Sequence, residues 1–336
     1  LPGFHNEPIG SGAWSVVPIH TPGHTPEHLS YLALVEDEPI AVFSGGSLLV
    51  GSAGRPDLLG WDRARTLAHL QYISVNRLAE LPDHVGLYPT HGAGSFCTAS
   101  VAGEHTSTIG REKLTNPVLQ YLDRDSFIEG QLAGLQPYPS YYAHMGPTNL
   151  RGPAPSPAHS LAELTVDGID DAMVVDIRPA EQFASGHLRG SVGIPFSDQI
   201  GVWAGWVLPF DSEIVIVAEP GQDVDEAHRQ FTRIGFDRVR GVVFDLPETV
   251  DLLAYEALRL GEFLQRMELG EIDQIIDVRA PDEWESGHIE GSSYRYAPDL
   301  FDDASVVDPT SPAWLVCGTG YRATIAAAAL ESRGLT

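Results

Sequence analysis

Short apolar runs separated by Gly, Pro and Asn dominate the first 135 residues, at 14–19, 29–35, 40–43 and 85–88. Their length and β-branched content predict strands, and apolar positions three and four apart predict helices over 63–78 and 118–128. Strands that end in loops carrying His or Gly predict a layered α/β domain over residues 1–135. Residues 136–158 break the pattern with Pro137, Pro139, Pro147, Pro153, Pro155 and Pro157. So many prolines predict an extended interdomain linker.

Beyond the linker the pattern repeats. The string VVDIRPAEQFASGHLRGS at 174–191 returns 101 residues later as IIDVRAPDEWESGHIEGS at 275–292. Asp176, Arg178, Ser185, Gly186, His187, Gly190 and Ser191 recur as Asp277, Arg279, Ser286, Gly287, His288, Gly291 and Ser292. Each copy reads as apolar strand, D-x-R, short acidic helix, S-G-H turn, second strand and helix, with a third strand at 213–217 or 313–316. Alternating strands and helices predict parallel sheets with crossover connections. Two copies of domain length predict a duplication, 159–257 and 258–336, rather than a solenoid. The D-x-R pairs and the histidines of S-G-H stand in both copies, which predicts turn-fixing networks rather than chemistry.

The copies diverge where chemistry is expected. After its third strand the second copy gives Cys317, Gly318, Thr319, Gly320, Tyr321 and Arg322, running into TIAAAAL. A Gly-rich loop between a strand and a helix turns amide N–H groups inward, backed by the helix dipole. Such a cradle favours a thiolate and stabilises an anionic sulfur attached to it. Arg322 is placed to fix the loop or to bind an anionic substrate. The first copy has Ala218 and Asp223 at the cysteine and arginine positions. Without a nucleophile it is expected to be an interaction or spacer domain.

Charge narrows the partners. The formal net charge of −26 repels phosphate backbones and anionic lipids, which argues against nucleic-acid and membrane partners. Two cysteines, Cys97 and Cys317, suffice for neither a disulfide framework nor a four-thiolate zinc site. Free thiols predict a reducing, cytoplasmic setting. A homo-oligomer is compatible with the sequence.

Three N-terminal segments carry further candidates: VPIHTPGHTPEHLSYL with His20, His24 and His28, then FSGGSLLVGSAGRPDLLG, then LYPTHGAGSFC with His91 and Cys97. Pro22, Gly23 and Pro26 exclude a regular helix through the first, so its histidines belong to a loop after a strand. His20 and His28 are expected to support that loop, Asp57 to serve a turn or cap, and Cys97 to be a buried thiol. Arg55 is expected at the surface or opposite an anionic thiol substrate.

On the D-x-R, S-G-H and C-x4-R pattern, the repeats over 160–336 resemble rhodanese (sulfurtransferase) domains. That resemblance implies a persulfide on Cys317 and a loop-organising role for Arg322. Four residues between Cys and Arg, where related phosphatases have five, favour sulfur over phosphate chemistry. The three His-bearing segments and STIGREKLTNP at 107–117 resemble the later part of the metallo-β-lactamase fold, in the rhodanese-fused branch of persulfide dioxygenases. The fold implied is α/β, a partial αββα sandwich followed by two rhodanese-like parallel-sheet domains, with the chain cut short at both ends. The same resemblance makes His24, in P-G-H-T, a metal ligand, and His91, in T-H-G, the last ligand or its neighbour. Fe(II) is the implied metal, with Zn(II) the alternative. Two departures accompany it: no H-x-H-x-D-H string occurs in residues 1–19, and Gly46 stands where the family motif F-[ST]-G-D has its aspartate.

The function expected is persulfide oxidation coupled to sulfur transfer, with a low-molecular-weight thiol or persulfide, thiosulfate and sulfite as partners. The alternatives are a zinc-dependent hydrolase of the thioesterase or glyoxalase II type, and a metal-free sulfur-carrier scaffold.

Overall fold

The computed structural model describes residues 6–91, 104–135, 137–152, 160–247 and 249–335. They form two compact units, Leu1–Tyr138 and Pro139–Thr336. Cys97 lies outside the described residues.

The first unit is built on a six-stranded sheet in sequential order. Strands β1 (Ile9–Ser11), β2 (Trp14–His20), β3 (Leu29–Val35) and β4 (Glu38–Gly45) run antiparallel. Helix α1 (Trp61–Ala79) then crosses back so that β5 (Gly86–Pro89) lies parallel to β4, and β6 (Ser107–Thr108) closes the edge. Alternation along the strands sends Val42 and Leu87 into a core with Ala68, Val75 and Leu78 of α1. Tyr31, Phe43 and Tyr88 stand in register on the opposite face and are exposed. Among the described residues this is one sheet with its helical layer.

Helices α2 (Ile109–Thr115) and α3 (Arg124–Ala133) complete the layer. The helix expected over 118–128 is interrupted: a 3-10 turn spans Pro117–Leu119, and Asp123 then caps α3 by accepting the Ser126 N–H at 2.8 Å. A local side-chain cap wins over the apolar spacing, and it leaves Leu122 97% exposed. The 107–117 motif is structural here. Asn116 donates to the carbonyls of Leu49 and Ser52, and the buried Glu112 accepts the Gly51 N–H, which pins the 49–52 turn.

The second unit opens with α4 (Tyr142–Arg151). The expected linker is therefore not wholly extended. The helix runs through Pro147, which removes one backbone donor, even though Gly146 and Thr148 beside it are poor helix formers. The first repeat follows as β7 (Met173–Asp176), α5 (Ala180–Ser185), β8 (His187–Leu188), β9 (Val192–Gly193), α6 (Ile200–Val207), β10 (Ile214–Val217), α7 (Val224–Arg233) and β11 (Val239–Val243). Its sheet is parallel, in the order β11-β10-β7-β9. Strand β12 (Leu252–Leu253) pairs with β8. The second repeat comprises α8 (Leu260–Glu268), β13 (Gln274–Asp277), α9 (Pro281–Ser286), β14 (Ser293–Tyr294), β15 (Ala313–Val316) and α10 (Tyr321–Ser332), with a parallel sheet β14-β13-β15. In both copies the arginine of D-x-R grips its own aspartate and the glycine carbonyl of S-G-H, at 2.8 Å to Gly186 and 2.7 Å to Gly287. These residues close a turn.

The two copies share a helix. Ala326, Ala329 and Leu330 of α10 pack with Ile276, Val278 and Leu300 of their own copy. Ile325 and Ala328 join the core of the first copy, with Val192, Ile194, Ile200 and Ala204. Burying the Ile325 side chain alone contributes roughly 1.5–3 kcal/mol. A plain spacer role for the first copy does not match this packing, because the apolar stripe of α10 needs a cover on both sides.

Candidate active site around Cys317

Cys317 follows β15 directly, and α10 begins four residues later. Burial of β13 between its two neighbours fixes the strand end, and Gly320, at φ 84°, turns the chain into the helix. That turn aims the Gly320 N–H at Cys317 Sγ, 3.1 Å away. The Thr324 hydroxyl donates to the Gly320 carbonyl at 3.0 Å, fastening the same residue to the first turn of α10. Cys317 is partly buried, packed against the second copy's core.

Arg322 points at α9. Its guanidinium donates twice to the Glu283 carboxylate, with Nη2 to Oε1 at 2.9 Å and Nη1 to Oε2. Glu283 also accepts the Ala280 N–H at 3.2 Å, so one carboxylate ties the α9 start to the loop. This pair engages the Arg322 guanidinium and ties the start of α10 to α9. Sequence reading missed Glu283, although the signal was there: the second copy has Glu283 with Arg322, and the first has Gln182 with Asp223. In the first copy Asp223 instead caps α7 through the Glu226 N–H at 2.9 Å. There the Gln222 side chain takes the Glu219 amide at 2.7 Å, and Ala218 is fully buried. That loop is filled by its own side chains.

The Arg322 guanidinium holds the Glu283 carboxyl below the usual carboxylate range. A depressed folded-state value means that the stabilisation is present above the unfolded value and is lost as pH falls through the folded one. We expect Glu283→Gln to lower the melting temperature at pH 7. The difference from the parent should shrink as pH falls below the ordinary glutamate range and vanish only once pH passes the depressed folded-state value. A difference that persisted undiminished to pH 3 would contradict the clamp.

In the first unit, His24 lies in the β2–β3 loop, wedged between Gly46 and Gly54. Its Nδ1 bonds the Arg55 carbonyl at 2.9 Å, which leaves Nε2 with a lone pair, and burial holds its pKa below the ordinary histidine value. A Cβ at position 46 would sit 2.4 Å from His24 Cδ2, so the imidazole fills the place of any side chain there. The His28 ring is used twice, with Nδ1 on Thr21 and Nε2 accepting the Gly46 N–H, and burial next to His24 pushes its pKa down to about 4. His20 bonds the Pro26 carbonyl. His91 follows β5 and is half-buried, close enough to His24 for their charges to interact.

Arg55 and Asp57 correct their expectations. They form a buried bidentate pair at 2.7 and 2.8 Å, with side chains 4% and 0% exposed, and the guanidinium lies over the Tyr138 ring. The Asp57 side chain thus serves a buried ion pair rather than a turn or cap, and Arg55 is not at the surface. Among the described residues no group of three His, Cys, Asp or Glu is placed to hold a metal. His24 is prepared as a ligand in the usual way, by a carbonyl on its other nitrogen. One prepared imidazole with a neighbour does not make a site, and the described residues do not fit a resident metal by themselves.

The rhodanese-like domain model matches residues 159–243 and 260–336. A crystal structure of a metallo-beta-lactamase from Staphylococcus aureus subsp. aureus COL is 30% identical, covers 72% of this chain and 71% of its own, and superposes with a TM-score of 0.64. A structure of ETHE1 from Myxococcus xanthus is 29% identical over 44% of this chain and 57% of its own, with a TM-score of 0.35. The curated hydroxyacylglutathione hydrolase GloC of Haemophilus influenzae is 30% identical over 101 residues, which cover 30% of this chain and 39% of the relative's length. The fold is that of a metallo-β-lactamase-like domain joined to rhodanese-like domains. The chain belongs to that metallo-β-lactamase/rhodanese fusion family. No helix among the described residues is long and apolar enough to cross a membrane.

Proposed function

We propose that this chain is a sulfur-transfer enzyme working through a persulfide on Cys317. The observation that supports this most is the Gly320 amide 3.1 Å from Cys317 Sγ at the start of α10, in the copy that keeps both thiol and arginine. The Cys317 thiolate attacks the outer sulfur of a donor R–S–SH. A Cys317 S–S bond forms, the donor's S–S bond breaks, and RS⁻ leaves with the electron pair. Sulfite then attacks the outer sulfur of Cys317–S–SH. The new S–S bond gives thiosulfate, a proton is released, and Cys317 departs as thiolate. Loop amides stabilise the anionic sulfur in both steps. Arg322, neutralised by Glu283, holds the loop in shape.

For the first unit we propose a role on the same pool of thiol-bound sulfur, Fe(II)-dependent persulfide oxidation being what the family resemblance suggests. The named hydrolase relative supports the other reading, a Zn(II) thioester hydrolase. Among the described residues only His24 and His91 stand where either metal would be held. Metal analysis of the purified chain separates the two: stoichiometric iron supports the oxygenase, and zinc the hydrolase.

The test of the sulfur-transfer reading is turnover. With a low-molecular-weight persulfide or thiosulfate as donor and cyanide as acceptor, thiocyanate should form catalytically. No thiocyanate from any donor, with the protein folded, would overturn it.

A further inference from the structure

The first copy lacks a nucleophile but is shaped around the helix that carries the other copy's loop. Tyr321, Thr324, Ile325, Ala328 and Glu331 recur at helical spacing along one stripe of α10, and each meets the first copy. The Tyr321 hydroxyl lies 3.2 Å from Ser197 Oγ. Ser197 Oγ already accepts the Gln199 N–H at 3.2 Å, and its carbonyl accepts Gln230 Nε2 at 3.1 Å, so the first copy fixes it in place. Trp203 of α6 flanks the Tyr321 ring at 5.9 Å. Thr324 sits over Gly193, where an added Cβ would come within 2.7 Å of Thr324 Cγ2. At the far end Glu331 reaches His187 Nε2 at 2.8 Å, while His187 Nδ1 bonds the Phe183 carbonyl.

The equivalent positions in the second copy show that these contacts are not a by-product of the repeat. Gly193 corresponds to Tyr294, and Ser197 to Pro298. His288, the counterpart of His187, is exposed and stacks on Trp284. Two of the contacts converge on the reacting sulfur. Thr324 fastens the Gly320 carbonyl, Gly320 faces Cys317, and Tyr321 is the next residue.

We propose that the thiol-less copy is a positioning domain, in which Ser197 tethers Tyr321 and Gly193 seats Thr324 so that the Cys317 loop keeps its reactive shape. The proposal rests on the sulfur-transfer reading of Cys317. Burial pushes the pKa of the Tyr321 hydroxyl up to about 12, and the neutral hydroxyl suits a tether to the Ser197 hydroxyl. Ser197 touches no reacting atom; it acts through Tyr321.

The experiment uses the full chain with Ser197→Ala, Tyr321→Phe, the double variant and the conservative Ser197→Thr. Two quantities are read. One is the rate constant for alkylation at Cys317 by iodoacetamide across pH, followed on the Cys317 peptide. The other is the split between kcat and KM for sulfur transfer. Losing one hydroxyl–hydroxyl bond should slow alkylation and lower kcat about three- to tenfold with KM little changed. The double variant should be no slower than either single one, and Ser197→Thr should recover most of the rate. A merely structural contact would change the melting temperature and leave the alkylation profile of folded protein where it was. That result, or effects that multiply in the double variant, would overturn the proposal. Alkylation needs no sulfur donor, so a parent chain without turnover would count against the sulfur-transfer reading alone.

Discussion

Cys317→Ser is expected to reduce sulfur transfer to the uncatalysed background. A serine hydroxyl is far less acidic and less nucleophilic toward sulfur than a thiol, and one loop amide at 3.1 Å cannot make up that gap. The fold should tolerate the change, because Cys317 is only partly buried and serine is close to it in size. The readouts are thiocyanate formation and the melting temperature of the same preparation. Activity retained at a tenth of the parent's or more would remove Cys317 from the mechanism. Arg322 and the amide cradle would then be a loop without a reaction.

Arg55→Ala is expected to have the largest effect on stability. It would strip a bidentate partner from Asp57, whose side chain has no exposed surface, and remove the cation over Tyr138. Leaving a buried carboxylate unpaired costs about 3–5 kcal/mol. The double variant Arg55→Ala/Asp57→Ala should be less damaging than Arg55→Ala alone, since it leaves no orphaned charge. Hydrogen exchange of the β2–β5 amides reports this unit separately from the rest of the chain. A loss below 1 kcal/mol for the single variant would show that water reaches Asp57, contrary to its burial.

Much of the architecture was legible because the signals were local and periodic. Residues 29–35 and 313–316 are strands with the predicted bounds, and the helix expected at 63–78 spans Trp61–Ala79. The nucleophile loop was legible for the same reason: strand, glycines and helix start are contiguous in sequence. What sequence could not place were partners far along the chain. Glu331 is 144 residues from His187 and nothing local announces that pair, while Glu283, 39 residues from Arg322, is marked only by comparing the two copies. Helix 118–128 failed because Asp123 offered the backbone a cap that apolar spacing does not reveal. Arg55 was misplaced because an arginine two residues from an aspartate in a loop reads as exposed, whereas the fold buries the pair whole.

One signal for the shared helix was present and unread. IAAAAL at 325–330 is apolar on every side of a helix, and such a helix is covered all round. The first copy is that second cover. The small residue Gly193, standing where the other copy has Tyr294, was its trace in the sequence.

The central claim is that Cys317 carries sulfur as a covalent intermediate, and intact-protein mass spectrometry tests it most directly. After brief exposure to a persulfide donor and removal of excess reagent, the chain should gain the mass of one sulfur atom, located on the Cys317 peptide. Sulfite should remove it with release of thiosulfate. A chain that gains no sulfur, or gains it only at Cys97, would contradict the account.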